Sequence, residues 1–268
     1  MENIELFKIQ QIGDKITRII GVSGEIFYLV VGEKKAALLD SGVGVGDVKS
    51  LVKSITDKPI IVILTHGHVD HISGAGAFEE IYLNSMDEEL YKNHLTEKMR
   101  QAHIAMCIGE RAKLINPNDY AELKPQKCNP LNVGDIFDLG GITLEICEGA
   151  GHTSGQITVL IKEERTILLG DACNNGTYLF FTESTSVEEY RDVLERLNKY
   201  MEDKIDSALI SHGTGDAPVN IITEIIKVCD DILNGNTDDI PLEFQGESGY
   251  LAKAVDEHGN RLDGGIGN

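Results

Sequence analysis

Basic residues are scarce in this chain. There are 24 lysines and arginines against 44 aspartates and glutamates, a formal net charge of −20 over 268 residues. Nucleic-acid binding rests on cations that neutralise phosphates, so this balance excludes a nucleic-acid partner and, for the same reason, an anionic membrane surface. The acidic residues are spread along the chain, which gives a well-solvated exterior. Long apolar runs are missing too. The longest, Ile60–Leu64 and Ile26–Val31, are strand-sized, far below the ~18 residues of a membrane span. The opening MENIELFKIQ has no cationic region followed by an apolar stretch, so no secretory signal is expected. Cys107, Cys128, Cys147, Cys173 and Cys229 are odd in number and form no C-x-x-C. They are expected as reduced thiols in a cytoplasmic protein. No serine occupies a G-x-S-x-G elbow, and Gly42–Gly46 lacks the G-x-G-x-x-G spacing. A serine nucleophile and a dinucleotide site are therefore not expected.

What is present is an ordinary globular balance, 41% hydrophobic and 25% charged, with length enough for a large core. Residues 25–31 and 35–40 read as consecutive strands, 46–55 as a helix, and the apolar run IIVIL from residue 60 as a strand buried on both faces. Residues 86–115 read as a helical stretch. Strands resume at 136–137, 142–146, 156–161 and 165–169. Residues 186–201 form an amphipathic helix with Ser186 as N-cap. A strand at 207–210 and a helix at about 219–233 follow. Ser23–Asp40 laid on Ser154–Asp171 matches at seven of eighteen positions, and Asp57–Gly67 on Asp203–Gly213 at four of eleven. Asp40 then falls on Asp171 and His66 on His212. Two β-β-α-β-like halves predict an α/β fold, a four-layer αββα sandwich. The main unit is expected over residues 1–245, interrupted by a helical insert at about 86–116. A Gly-rich segment at 246–268 reads as a hairpin around 257–260 followed by a loose end.

The chemistry concentrates in His66-Gly67-His68-Val69-Asp70-His71. In an extended segment, residues i and i+2 point the same way, so His66 and His68 can grip one cation. If the chain then turns into a helix, Asp70 and His71 swing aside and can grip a second. Imidazole and carboxylate suit zinc, and also iron and manganese. Gly151-His152, Gly170-Asp171 and His212-Gly213 each place one ligand-type residue at a strand end. Together these make a set large enough for two metals with room for water. His94 and His103, in the insert, have no partner spacing and read as surface or core residues. Cys173 reads as buried filler, and His258 as a turn residue without a role.

In combination these motifs resemble the metallo-β-lactamase fold superfamily over roughly residues 15–235, and its glyoxalase II and lactonase branches in particular. The resemblance implies that His66, His68 and His152 hold one metal and that Asp70, His71 and His212 hold the other. Asp171 would bridge the two. It further implies that Asp40 orients a ligand from behind, and that two divalent ions, zinc foremost, hold the hydroxide that attacks a small ester, thioester or lactone, with Asp70 orienting it. An oxygenase of the persulfide type, keeping His66, His152 and Asp171 around a single iron, is the alternative, and a nuclease is disfavoured by the charge. Asn174 and Tyr178 in the loop after Asp171 are candidate pocket residues. Tyr91, Leu95, Met99 and Met106 are expected to give the insert an apolar substrate-facing wall. The partner is a small-molecule substrate; no oligomeric state is assigned.

Overall fold

Period-two alternation of apolar side chains sets the layers of this protein. In the computed structural model, which describes residues 4–244 and 246–268, the first half runs β1 (Phe7–Ile12), β2 (Ile16–Gly21), β3 (Ile26–Val31), β4 (Ala36–Leu39), α1 (Val48–Ile55), β5 (Ile60–Ile63), α2 (Val69–Ile72) and β6 (Ile81–Leu83). The insert follows as α3 (Glu88–His94) and α4 (Glu97–Ile108). The second half holds β7 (Asn129–Pro130), β8 (Ile136–Asp138), β9 (Thr143–Glu148), β10 (Ile157–Ile161), β11 (Thr166–Gly170), α5 (Val187–Met201), β12 (Ser207–Ile210), β13 (Asp216–Ala217) and α6 (Ile221–Leu233). A hairpin, β14 (Ile240–Phe244) and β15 (Glu247–Leu251), comes last. Residues 1–3 and Gln245, at the ends of the expected main unit, lie outside the described residues.

Among the described residues the strands form two large mixed sheets, one ordered β1 through β7 and the other β13-β12-β11-β10-β9-β8. On β3, Ile26, Tyr28 and Val30 point between the sheets, where they meet Leu144, Ile157, Val159 and Leu168. Phe27 and Leu29 point outward to α1 through Val48 and Val52. The second sheet turns Leu160, Ile167 and Leu169 outward onto Tyr190, Leu194 and Leu197 of α5 and onto Ile221, Ile222 and Ile225 of α6. Helix, sheet, sheet, helix is the expected αββα sandwich. The repeat is visible as architecture. β3 and β4 are antiparallel and α1 crosses to a parallel β5; β10 and β11 are antiparallel and α5 crosses to a parallel β12. Ser186 caps α5 within a full capping box closed by Glu189.

Two expectations need correction. The stretch 86–115 is not one helix. Leu95 leaves helical backbone and Thr96, extended at φ −133°, accepts from the Met99 amide and starts α4 anew. A threonine that can cap competes with helix continuation. The tail is not loose: the Lys253 amide donates to Asn268 Oδ1 at 2.8 Å and the Thr177 amide to Asn268 O at 3.0 Å. The turn at 257–260 is present, closed by a bridge between Val255 and Arg261, but the regular hairpin lies earlier, at β14–β15. Beyond these, β1 and β2 went unread. β1 is an exposed edge carrying Lys8, Gln10 and Gln11, and β2 buries Arg18, which pairs with Asp216 across the sandwich. A charged residue inside a strand hides the alternation that marks one.

Leu144→Ala, in the fully buried layer between the sheets, is expected to cost about 2–5 kcal/mol, and Ser186→Ala about 1 kcal/mol. Urea denaturation followed by circular dichroism measures both.

Candidate metal centre

Four strands deliver the site. β4 leads to Asp40, β5 to Thr65-His66, β11 to Asp171 and β12 to Ser211-His212. His68 is the extended residue before α2, at φ −74° and ψ 151°, so Asp70 and His71 turn onto the helix. His152 follows β9, where α5 packs tightly: a Cβ on Gly151 would lie 2.1 Å from the Tyr190 ring. His66, His68 and His152 are brought together as one group, and Asp70, His71 and His212 as another. Asp171 joins both, with Oδ2 3.1 Å from His212 Nε2, 3.6 Å from His71 Nε2 and 3.8 Å from His152 Nε2.

The hydrogen bonds fix which imidazole nitrogens remain free, because each outer nitrogen already faces a partner. His66 Nδ1 donates to Thr65 Oγ1 at 3.0 Å, His152 Nδ1 to Tyr178 O at 2.8 Å, His68 Nε2 to Glu183 Oε1 at 3.0 Å, and His71 Nδ1 to Asp40 Oδ2 at 2.8 Å. The remaining lone pairs converge. His66 Nε2 and His152 Nε2 each stand 3.0 Å from His68 Nδ1. Buried His71 Nε2 has no hydrogen-bond partner. Lone pairs this close repel one another unless a cation sits among them, so the donor set fits a metal ion.

Charge separates the two groups. Burial holds His66 well below its ordinary value and brings His68 down to about 4, so both rings are neutral, the form that binds metal. Burial pushes the Asp70 and Asp171 carboxyls up. Neighbouring imidazoles outweigh it and hold both well below the usual range, chiefly His103 and His71 at Asp70 and His212 and His71 at Asp171. Burial depresses His71 and His212, yet the carboxylates carry His71 well above its ordinary value and His212 to about 9. The second group is a place that favours positive charge, which a divalent cation supplies.

Asp40 lies behind the site. Its Oδ1 accepts the Thr65 amide at 2.7 Å, and its Oδ2 accepts both the Thr65 hydroxyl at 2.8 Å and His71 Nδ1. Asp87, which sequence reasoning missed, ties the two halves: it accepts from the Gly67 amide at 2.9 Å, the Thr153 hydroxyl at 2.7 Å and the Gly155 amide at 2.8 Å.

A cavity of about 810 Å³ opens over these side chains, and Asn174, Tyr178 and Met99 line it. Asn174 Nδ2 donates to Asp171 Oδ1 at 3.1 Å. Tyr91 and Leu95 are buried in the outer core instead, while Met99 and Met106 do face the cavity. His94 and His103 both line the cavity, His103 as a buried residue. The insert folds back over α2; His94 stacks on His68 with ring centroids 4.9 Å apart, and His103 Nε2 stands 3.9 Å from Asp70 Oδ2. Glu183, from an irregular loop, had no signal in the sequence. Cys173 is fully buried against Tyr190, its thiol pushed up to about 12 by burial, and does not line the cavity. His258 lies exposed in its turn.

The family model of the metallo-beta-lactamase superfamily matches residues 25–212, and the chain belongs to that superfamily. It is 22% identical over 185 residues to acyl-coenzyme A thioesterase MBLAC2 of Gallus gallus, covering 63% of this chain and 65% of that one. To the atrochrysone carboxyl ACP thioesterase AacuM of Aspergillus aculeatus it is 22% identical over 237 residues, covering 83% and 64%. The chain thus spans a little under two thirds of these relatives. Among solved structures, a metallo-beta-lactamase from Pontibacter korlensis superposes with a TM-score of 0.59 at 15% identity over 84% of this chain and 99% of that one. DIM-1 metallo-beta-lactamase superposes with a TM-score of 0.62 at 14% identity over 86% and 100%. These two share the fold.

Replacing Asp40 by Asn puts an amide where the carboxylate accepts two protons on one oxygen. Zinc affinity, measured by competition with a chromophoric chelator, is expected to fall about 10- to 100-fold in Asp40→Asn.

Proposed function

We propose that this protein is a metal-dependent hydrolase of thioesters, with esters and lactones open to the same chemistry. The observation that carries the reading is the convergence of unprotonated imidazole nitrogens and ionised carboxylates at the floor of one cavity. The thioesterase names of MBLAC2 and AacuM support the choice of thioester. His66, His68 and His152 would hold one divalent ion, and Asp70, His71 and His212 the second, with Asp171 shared. Two such ions, zinc foremost, supply Lewis acidity and a water that deprotonates near neutral pH.

The chain's own residues supply the rest. Glu183, Thr65 and the Tyr178 carbonyl hold His68, His66 and His152 in one tautomer, and Asp40 does the same for His71. Asp70 orients the attacking water. Water adds to the carbonyl carbon, the C–S bond breaks, and the two protons of the water leave with the thiol and the carboxylic acid. Asn174, whose Nδ2 donates to Asp171, would donate its second N–H to the carbonyl oxygen. Phe181, with its ring centroid 6.1 Å from His68 and 6.0 Å from His152, excludes bulk water from this point. No serine elbow is present, and burial pushes the thiols of Cys107 and Cys173 up, so this reading has water as the nucleophile and no acyl-enzyme. The reading places the enzyme in the cytoplasm, where its five free thiols stay reduced. Among the described residues no helix is long and apolar enough to cross a membrane.

Asp171→Ala is expected to abolish thioester hydrolysis and Cys173→Ser to leave most of it, both followed by thiol release. A burst of thiol, or an acyl adduct on any cysteine or serine by mass spectrometry, would contradict this chemistry.

A further inference from the structure

The cavity has two apolar walls that the reaction itself does not use. α4 turns Met99, Ala102 and Met106 toward it, at i, i+3 and i+7 of one face. Met106 is 42% exposed. Across the cavity stand Tyr178, Phe181 and Phe244. Tyr178 packs on Phe244 with centroids 4.5 Å apart, and Phe181 lies 6.3 Å from each of them. Phe244 comes from β14, beyond the residues matched to the family. The hairpin and tail hold this wall in place. Gly249 of β15 abuts Phe180 so closely that a Cβ would lie 2.7 Å from its ring, and Asn268 O receives the Thr177 amide.

The charged groups on the cavity are of one kind. Beside the histidines, the lining carries Asp70, Asp171, Glu183 and Glu247, and among the described residues no lysine or arginine. Asp70 and Asp171 sit on the floor and Glu183 is bound to His68, which leaves exposed Glu247 at the rim. Phosphate recognition needs basic side chains or a helix N-terminus aimed at the ligand. A volume of about 810 Å³ encloses most of a drug-sized molecule.

Resting on the thioesterase reading, we propose that the cavity between α4 and the Tyr178–Phe181–Phe244 wall is an acyl site for a medium-length aliphatic or aryl acyl group, and that the thiol carrier is held without a phosphate subsite. The thioester carbonyl sits beneath Phe181, over His68 and His152. The acyl chain runs between the methionines and the aromatic rings, and the carrier leaves past Glu247.

Acetyl, hexanoyl and phenylacetyl thioesters of one neutral thiol, N-acetylcysteamine, and of coenzyme A test this on the zinc-loaded protein. Each buried methylene is worth about fourfold in affinity, so hexanoyl should exceed acetyl by at least about tenfold in kcat/KM. That gain should shrink below about threefold in Met99→Ala/Phe244→Ala. A flat series in the wild-type protein overturns the acyl site without reference to any variant. Coenzyme A and N-acetylcysteamine thioesters should lie within about threefold of each other in 0.15 M salt, and a preference for coenzyme A of about tenfold or more overturns the missing phosphate subsite. Calorimetry with the ethyl and hexyl thioethers of N-acetylcysteamine, which cannot be hydrolysed, separates the two levels. Tighter binding of the hexyl thioether with no turnover of any thioester contradicts the hydrolase and leaves the acyl site standing. Turnover with equal binding of both thioethers contradicts the acyl site and leaves the hydrolase.

Discussion

One buried carboxylate organises this molecule's centre. Asp40 sits at the end of β4 with φ 63°, a left-handed backbone that costs a non-glycine residue about 1 kcal/mol. The turn aims the carboxylate sideways under the next strand, where it receives the Thr65 amide, the Thr65 hydroxyl and His71 Nδ1. Thr65 in turn accepts from His66. This one side chain therefore orients two imidazoles in two different groups. Without it, the rings of His66 and His71 have no fixed direction, and the convergence on which the proposed chemistry rests is lost.

The same logic explains how a chain of net charge −20 keeps a centre that draws cations. Asp70 and Asp171 are buried and ionised at the floor of the cavity, and the field they make is answered by His71 and His212. Acidic residues on the exterior serve solubility, and those at the centre create a demand for positive charge. Met99, Met106, Tyr178, Phe181 and Phe244 give the cavity apolar wall surface by contrast, so the proposed chemistry keeps its polar groups at the floor.

Much of this could be read in the sequence. The hexapeptide from His66 to His71 carries its own geometry, because period two ends where α2 begins, and the faint repeat lays Asp40 on Asp171 and His66 on His212. What stayed hidden was set by tertiary packing. His94 and His103 lie nine residues apart with a helix break at Thr96 between them, so no spacing rule joins them. The break is what lets both rings reach the centre. Glu183 reaches His68 from an irregular loop, and Asp87 reaches Gly67, Thr153 and Gly155 across the two halves. β2 was masked by Arg18, whose charge is answered by Asp216 almost two hundred positions away. Long-range partners of this kind leave no local trace.

The proposed chemistry needs two cations at the cavity floor. Elemental analysis of protein purified without added metal, alongside turnover of a thioester under nitrogen, tests that directly. The account predicts close to two equivalents of zinc per chain, by the donor sets of His66, His68 and His152 and of Asp70, His71 and His212 bridged through Asp171, with hydrolysis unaffected by the loss of oxygen. One equivalent of iron, with activity that consumes oxygen, would contradict it.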